Sequence, residues 1–244
     1  MKIGQMSLKG LSDKSDYLQL DICGLTKEEA LDKYKKYNTN KPIILHGDWD
    51  KKPGLSENNL RERYDEYLKI ISVLKNETEI LGITIHPPYR TKFTLDEITE
   101  ICNNLSKEAN IPVLVENRSN KRINLSKPNE IIEYSKNHLM TIDIPQLYIS
   151  CGYDEDELIE TLEKINMNNV KEIHFANILR TEKNSFVARK INDGNINLNR
   201  VLKYLPMDSY YTLEILGGVK TFDTMYHLLL SMEDNIWTMR FQRI

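Results

Sequence analysis

Short runs of branched apolar residues recur along the chain, and longer stretches of mixed charge separate most of them. The runs are KIGQMS, YLQLDIC, PIILHGD, GITIHPP, PVLVENR, LMTIDIP, EIHFAN and YYTLEIL, eight in all. Each is rich in Ile, Leu and Val and bounded by polar or turn-forming residues, as expected of a strand in a parallel sheet. Between them, SENNLRERYDEYLKIISVLKNE, TLDEITEICNNLSKEAN, KPNEIIEYSKNH and DEDELIETLEKINMNN read as amphipathic helices. This alternation predicts βα units, and eight strands in 244 residues match the size of a (β/α)8 TIM barrel, an α/β fold. The first crossover, LKGLSDKSD, is too short and polar for a full helix, so that helix is expected to be short or missing.

Helix starts support the segmentation. Thr94 is placed to cap the helix of TLDEITEICNNL, with Glu97 three residues on to complete a capping box. In SKPNEIIEY, Ser126 or Asn129 is the candidate cap, with Pro128 in the first turn. No Gly/Ser linker or long charge run interrupts the chain, so residues 1–244 read as a single domain.

Composition narrows the partners. A net charge of -3, with both signs interspersed, provides no footprint for nucleic acid, and no nucleic-acid partner is expected. No apolar run approaches the roughly 20 residues that cross a bilayer, and the N-terminal MKIGQMSLKG lacks a signal-peptide core, so a cytoplasmic protein without a membrane partner is expected. Cys23, Cys102 and Cys151 are widely spaced and outside any C-x-x-C pair, which predicts buried or incidental thiols. Assembly into a homo-oligomer is left open.

The strand ends carry the chemistry. A TIM barrel builds its active site at the C-terminal ends of its strands. Here the third run ends in His46-Gly47-Asp48, the fourth in His86, the fifth in Glu116-Asn117-Arg118 and the sixth in Asp143-Ile144-Pro145-Gln146. The seventh ends in His174 with Asn177 following, and the eighth in Glu214. Any one of these is as readily a solvated strand end as a site residue, but six converging on one mouth favour a site. Glu116, Asp143, His174 and Glu214 would form an oxygen-rich set with one imidazole, suited to one divalent ion, with Mn²⁺, Mg²⁺, Co²⁺ or Fe²⁺ fitting better than Zn²⁺. Without a cation, three converging carboxylates would repel one another. His46 and His86 are candidates to touch substrate hydroxyls or a second metal, against simple loop packing, and Trp49 is a candidate apolar wall or a rim residue. Asn117 and Arg118 are placed to orient Glu116. His138 belongs at the opposite, stability face, and His227 on a last outer helix.

The order Glu, Asp, His, Glu at the ends of strands five to eight resembles the xylose-isomerase-like TIM barrels. That superfamily holds sugar and sugar-phosphate isomerases and epimerases and also endonuclease IV, and the pattern is closest to its ketose 3-epimerases. VENR and LEIL are similar to its glutamate-bearing strands, and NDGNINLNRVL to its glycine-containing loop around Asp193-Gly194-Asn195-Ile196. The resemblance implies one metal ion on the four ligands and substrate contact by Arg180, six residues after His174. It implies isomerisation or epimerisation of a sugar-like small molecule, with Glu116 and Glu214 as the catalytic pair passing a proton through an enediolate. Gln146 stands where the family often has histidine; it can hydrogen-bond a substrate hydroxyl but cannot titrate near neutrality. Asn177 completes the expected substrate-binding set.

Two other readings follow from the same residues. The changed residue at Gln146 also fits a non-catalytic or repurposed barrel, since fold does not fix function. An endonuclease IV-like DNA-repair nuclease is the remaining alternative, disfavoured because Gln146 and the Asp193-Gly194-Asn195 loop lack the imidazoles of a trinuclear zinc cluster.

Overall fold

A computed structural model describes residues 1–7, 10–48, 60–180 and 186–241; Trp49 lies outside the described residues. Seven parallel strands run in order around a barrel: β1 (Lys2–Met6), β2 (Tyr17–Asp21), β3 (Ile43–His46), β4 (Ile80–Ile85), β5 (Val113–Glu116), β6 (Met140–Asp143) and β7 (Val170–His174). An antiparallel hairpin, β8 (Asn177–Arg180) and β9 (Phe186–Arg189), follows outside the barrel. β10 (Tyr210–Leu213) then closes the barrel between β7 and β1, with Lys2 opposite Tyr210 and Gln5 opposite Leu213. Each of the eight apolar runs supplies one barrel strand, so the (β/α)8 reading holds; the hairpin has no counterpart in the apolar pattern.

The helices are α1 (Lys27–Lys35), α2 (Leu60–Leu74), α3 (Leu95–Ala109), α4 (Pro128–Ser135), α5 (Ile144–Ser150), α6 (Glu155–Lys164), α7 (Leu198–Val201) and α8 (Val219–Phe241). The four amphipathic stretches become α2, α3, α4 and α6. α1 escapes the pattern because only Ala30 and Tyr34 are buried along it; Thr26 and Glu29 start it with a capping box. The expected box at α3 is present in both halves, Glu97 N donating to Thr94 Oγ1 at 3.2 Å and Thr94 N to Glu97 Oε2 at 2.8 Å. At α4 the expectation needs correction. The cap position is Lys127, which makes no side-chain cap bond, and Pro128 opens the helix. Ser126 instead accepts from Arg90 Nη2 at 2.9 Å, and Asn129 lies inside the first turn.

Between β1 and β2 the described residues contain no helix. Gln5 braces the turn instead, its Nε2 donating to Gly10 O at 3.0 Å and its Oε1 accepting from Ser12 N at 2.8 Å. Among the described residues no helix is long and apolar enough to cross a membrane. All four residues of β3 and of β5 are buried, one face against the barrel interior and the other against helices. Inside the barrel, alternate strands contribute a polar layer of Gln19, Thr84, Thr141 and Thr212, and Thr84 Oγ1 meets Thr141 Oγ1 at 2.7 Å. The three cysteines are free, with Cys102 and Cys151 buried.

Candidate metal and active site

Parallel strands bring all their C-terminal ends to one mouth, and strand register aligns the acidic residues there. Glu116 ends β5, Asp143 ends β6 beside His174 at the end of β7, and Glu214 follows β10. Asn117 ties two of these ends together: its Oδ1 accepts from Asp143 N at 2.8 Å and its Nδ2 donates to Asp143 O at 3.1 Å. Asp143 also caps α5, its Oδ1 accepting from Gln146 N at 2.7 Å.

His174 Nδ1 sits at the focus. It lies 3.4 Å from Glu116 Oε2, 3.4 Å from Glu214 Oε1 and 4.0 Å from Asp143 Oδ2. Two further imidazoles close on the same Glu116 oxygen, His86 Nε2 at 3.1 Å and His46 Nε2 at 3.5 Å. Arg118 Nη1 holds the other oxygen, Oε1, at 2.9 Å. The ligand atoms group as Glu116, Asp143 and His174; as His46, His174 and Glu214; and as His46, His86 and Glu116, each within 4.8 Å. The expected four-residue set is therefore assembled, with Glu214 joined to it through His174, and the second histidine pair is closer to it than the sequence pattern required.

Burial makes this cluster depend on shared protons or a cation. Burial, with Glu214 and Glu116 adding like charge, pushes the Asp143 carboxyl well above the usual carboxylate range. For His174, burial acts to lower proton affinity, but the Glu214, Glu116 and Glu172 carboxylates outweigh it and hold the imidazole well above its ordinary value. Burial also opposes ionisation of Glu116; the close approach of the His86, His174 and His46 imidazoles overcomes it and keeps that carboxyl low. Burial and the Arg118 charge push His86 down to about 3, leaving a neutral ring able to act as ligand or acceptor. Glu116 Oε2 and His174 Nδ1 are buried with no hydrogen bond of acceptable geometry. Two such atoms, aimed at one point among carboxylates, fit a divalent cation.

A cavity of about 230 Å³ opens over this cluster. His46, His86, Glu116, Asp143, Gln146 and Glu214 line it, as the strand-end reading expects, together with Met6, Ser7, Gln19, Asp21 and Arg118. His174 is wholly buried and does not itself line the cavity. Gln146 Oε1 accepts from Ser119 N at 3.0 Å, which turns the amide along the wall.

Two expected substrate contacts stand elsewhere. Asn177 does not line the cavity; its Nδ2 donates to Ile191 O and Ile196 O, each at 2.9 Å, and its Oδ1 accepts from Ile178 N and Ile196 N. It organises the loop after β9, and Gly194 passes so close that a Cβ there would lie 2.2 Å from Asn177 Oδ1. Arg180 is exposed and stacks on the Tyr153 ring at 4.4 Å, also away from the lining. His138 packs against Tyr134 beside the N-terminal end of β6, and His227 lies exposed on α8, 2.6 Å from Lys14 Nζ. Asp21, Gln19 and Glu172 were missed. Period-two alternation contained the signal for Glu172, which shares the inward face of β7 with His174.

No protein-family model and no curated protein matches the sequence. Solved structures do resemble it. A xylose isomerase domain protein from Planctomyces limnophilus is 15% identical with a TM-score of 0.68, over 97% of this chain and 98% of that one. An IolI protein, described with a bound zinc atom, is 12% identical with a TM-score of 0.65 over 95% and 98%. A xylose isomerase domain-containing protein from Salmonella typhimurium LT2 is 11% identical with a TM-score of 0.61 over 89% and 88%. At these identities the likeness establishes the fold.

Proposed function

We propose, for a chain whose fold is that of the xylose-isomerase-like TIM barrels, a metal-dependent isomerase or epimerase of a sugar-like small molecule. One observation carries the reading. Glu116 Oε2 and His174 Nδ1, buried and without hydrogen bonds, face each other across 3.4 Å with Glu214 Oε1 equally near, beneath an open polar cavity. Glu116, Asp143, His174 and Glu214 would hold the cation. The zinc atom bound in the IolI structure supports a metal in a barrel of this fold, and the added imidazoles of His46 and His86 make Zn²⁺ a fit beside Mn²⁺, Mg²⁺, Co²⁺ and Fe²⁺.

A divalent cation bound there supplies Lewis acidity, polarising a substrate carbonyl and acidifying the neighbouring C–H. The chain's own groups do the rest. Glu214, with its side chain about a quarter exposed, faces the cavity and takes or returns a proton at the substrate carbon. Glu116, fixed by Arg118, serves from the β5 side. A proton returned to the opposite face of the same carbon gives the epimer; one returned to the adjacent carbon gives the isomer. Gln146 and the neutral ring of His86 orient hydroxyl groups from the wall.

Incubation with a panel of ketoses in D₂O tests this, because exchange at the carbon next to the carbonyl needs only abstraction and return. Glu214→Gln is expected to lower exchange by roughly 10²–10⁴-fold, the usual effect of losing a positioned base. Unchanged exchange in both Glu116→Gln and Glu214→Gln proteins refutes the two-glutamate mechanism.

A second reading is favoured by one specific feature, the approach of His46 and His86 to the Glu116 oxygen that also faces His174. His46, His86 and Glu116 would hold a second cation, which would supply the activated water of metal-assisted hydrolysis instead. Two tightly bound ions per chain, with no exchange on any ketose, would favour it.

A further inference from the structure

Glu172 is wholly buried inside the barrel, two residues before His174 on β7, and the strand's alternation turns both side chains inward. Its Oε1 accepts from Gln19 Nε2 at 3.0 Å and Thr212 Oγ1 at 2.6 Å, and its Oε2 from Thr141 Oγ1 at 3.1 Å and from Thr84 Oγ1. The four donors come from β2, β4, β6 and β10, so every alternate strand contributes one. They compensate a carboxylate that is costly to bury. Filling space does not account for it.

His174 lies directly above. Its Nε2 is 3.5 Å from Glu172 Oε2 and 2.7 Å from Gln19 Nε2, while Nδ1 points the other way into the mouth. A neutral imidazole carries one proton, on one nitrogen or the other. With the proton on Nδ1, the mouth carboxylates accept it and the Gln19 amide donates to Nε2. An imidazole that offers Nδ1 to a cation must carry its proton on Nε2. The Gln19 amide nitrogen, a donor only, then has to turn aside, and Glu172 Oε2 at 3.5 Å is the anionic acceptor on that side.

We infer that Glu172 is a positioning residue. It accepts the Nε2–H of His174 and so commits the Nδ1 lone pair to the cation at the mouth. The inference rests on the metal reading above and adds the residue that fixes the ligand's orientation. Carboxylates behind metal-bound histidines raise ligand basicity, and losing one typically costs 10–100-fold in metal affinity.

The test uses the full chain, ¹⁵N-labelled at histidine and loaded with Zn²⁺ as a diamagnetic probe. Long-range ¹H–¹⁵N correlation of the native protein is expected to find His174 ligated through Nδ1, with a downfield, slowly exchanging Nε2 proton. Ligation through Nε2 overturns the inference without any variant. Glu172→Gln keeps the shape and removes the charge. It is expected to move the Nε2 proton upfield, and to weaken Zn²⁺ binding 10–100-fold in competition with a chromophoric chelator. A purely structural Glu172 would change the melting temperature alone, and an unmoved Nε2 proton with affinity within twofold of native overturns the proposal. A native protein that takes up no Zn²⁺ ends the metal reading and this inference together, whereas normal uptake with an unmoved proton ends this inference only.

Discussion

Asn177→Ala separates a loop organiser from a substrate ligand. The Asn177 side chain makes four hydrogen bonds, two to the carbonyls of Ile191 and Ile196 at 2.9 Å and two from the N–H groups of Ile178 and Ile196 at 2.9 and 3.0 Å. The residue is almost wholly buried, so alanine orphans Ile178 N, Ile191 O and Ile196 N away from bulk water, while Ile196 O keeps its bond from Leu198 N at 3.0 Å. Each orphaned buried group costs about 1–3 kcal/mol, and water entering the vacated space offsets part, so the net loss is roughly 3–5 kcal/mol. For a chain of this size that corresponds to a fall in Tm of roughly 6–20 °C. Asn177→Asp is expected to be at least as damaging, because it turns a carboxylate oxygen towards two carbonyls. Urea unfolding with calorimetric melts measures both. An Asn177→Ala protein that melts within 2 °C of native and loses substrate affinity instead would return Asn177 to the substrate site and refute the loop role.

Other outcomes follow from the same contacts. Thr94→Ala is expected to cost about 1 kcal/mol at neutral pH. Hydrogen bonds from Thr94 lower the Glu97 pKa, so the box's ionic part is present above the unfolded carboxylate pKa and is lost as pH falls through the folded one; melts at pH 7 and pH 3 should show the Thr94→Ala deficit shrinking in acid. Because the proton affinities of Asp143 and His174 are raised, cation binding must displace protons, so calorimetry in buffers of different ionisation enthalpy should detect proton release and an affinity that climbs with pH. Gln146→Ala is expected to raise KM with little change in kcat, read from steady-state kinetics on whichever ketose exchanges deuterium.

The barrel was legible because each strand falls in a short run centred on apolar residues and most of these runs alternate with amphipathic helices. α1 was not, since a helix burying only Ala30 and Tyr34 has no apolar stripe to read. The hairpin of β8 and β9 is held by the side-chain bonds of Asn177 and by backbone pairing, neither of which leaves a periodic trace. The convergence of Glu116, Asp143, His174 and Glu214 was legible from strand-end position alone, since parallel strands must share a mouth. Asn177 misled because its place just past His174 suggests the mouth, while the chain turns outward into the hairpin there. Glu172 lies within its strand and not at the strand end, so it carries no mouth signal, although the alternation E-I-H already placed it on the same face as His174.

The central claim is that the strand-end cluster holds a divalent cation, and metal analysis of protein purified without chelator tests it most directly. The native chain is expected to retain close to one divalent ion, His174→Ala to lose most of it, and His138→Ala, altered at the far end of the barrel, to keep it. A native protein without bound metal that also fails to bind Mn²⁺ or Zn²⁺ in a calorimetric titration, or a His174→Ala protein that binds as well as native, would contradict the account.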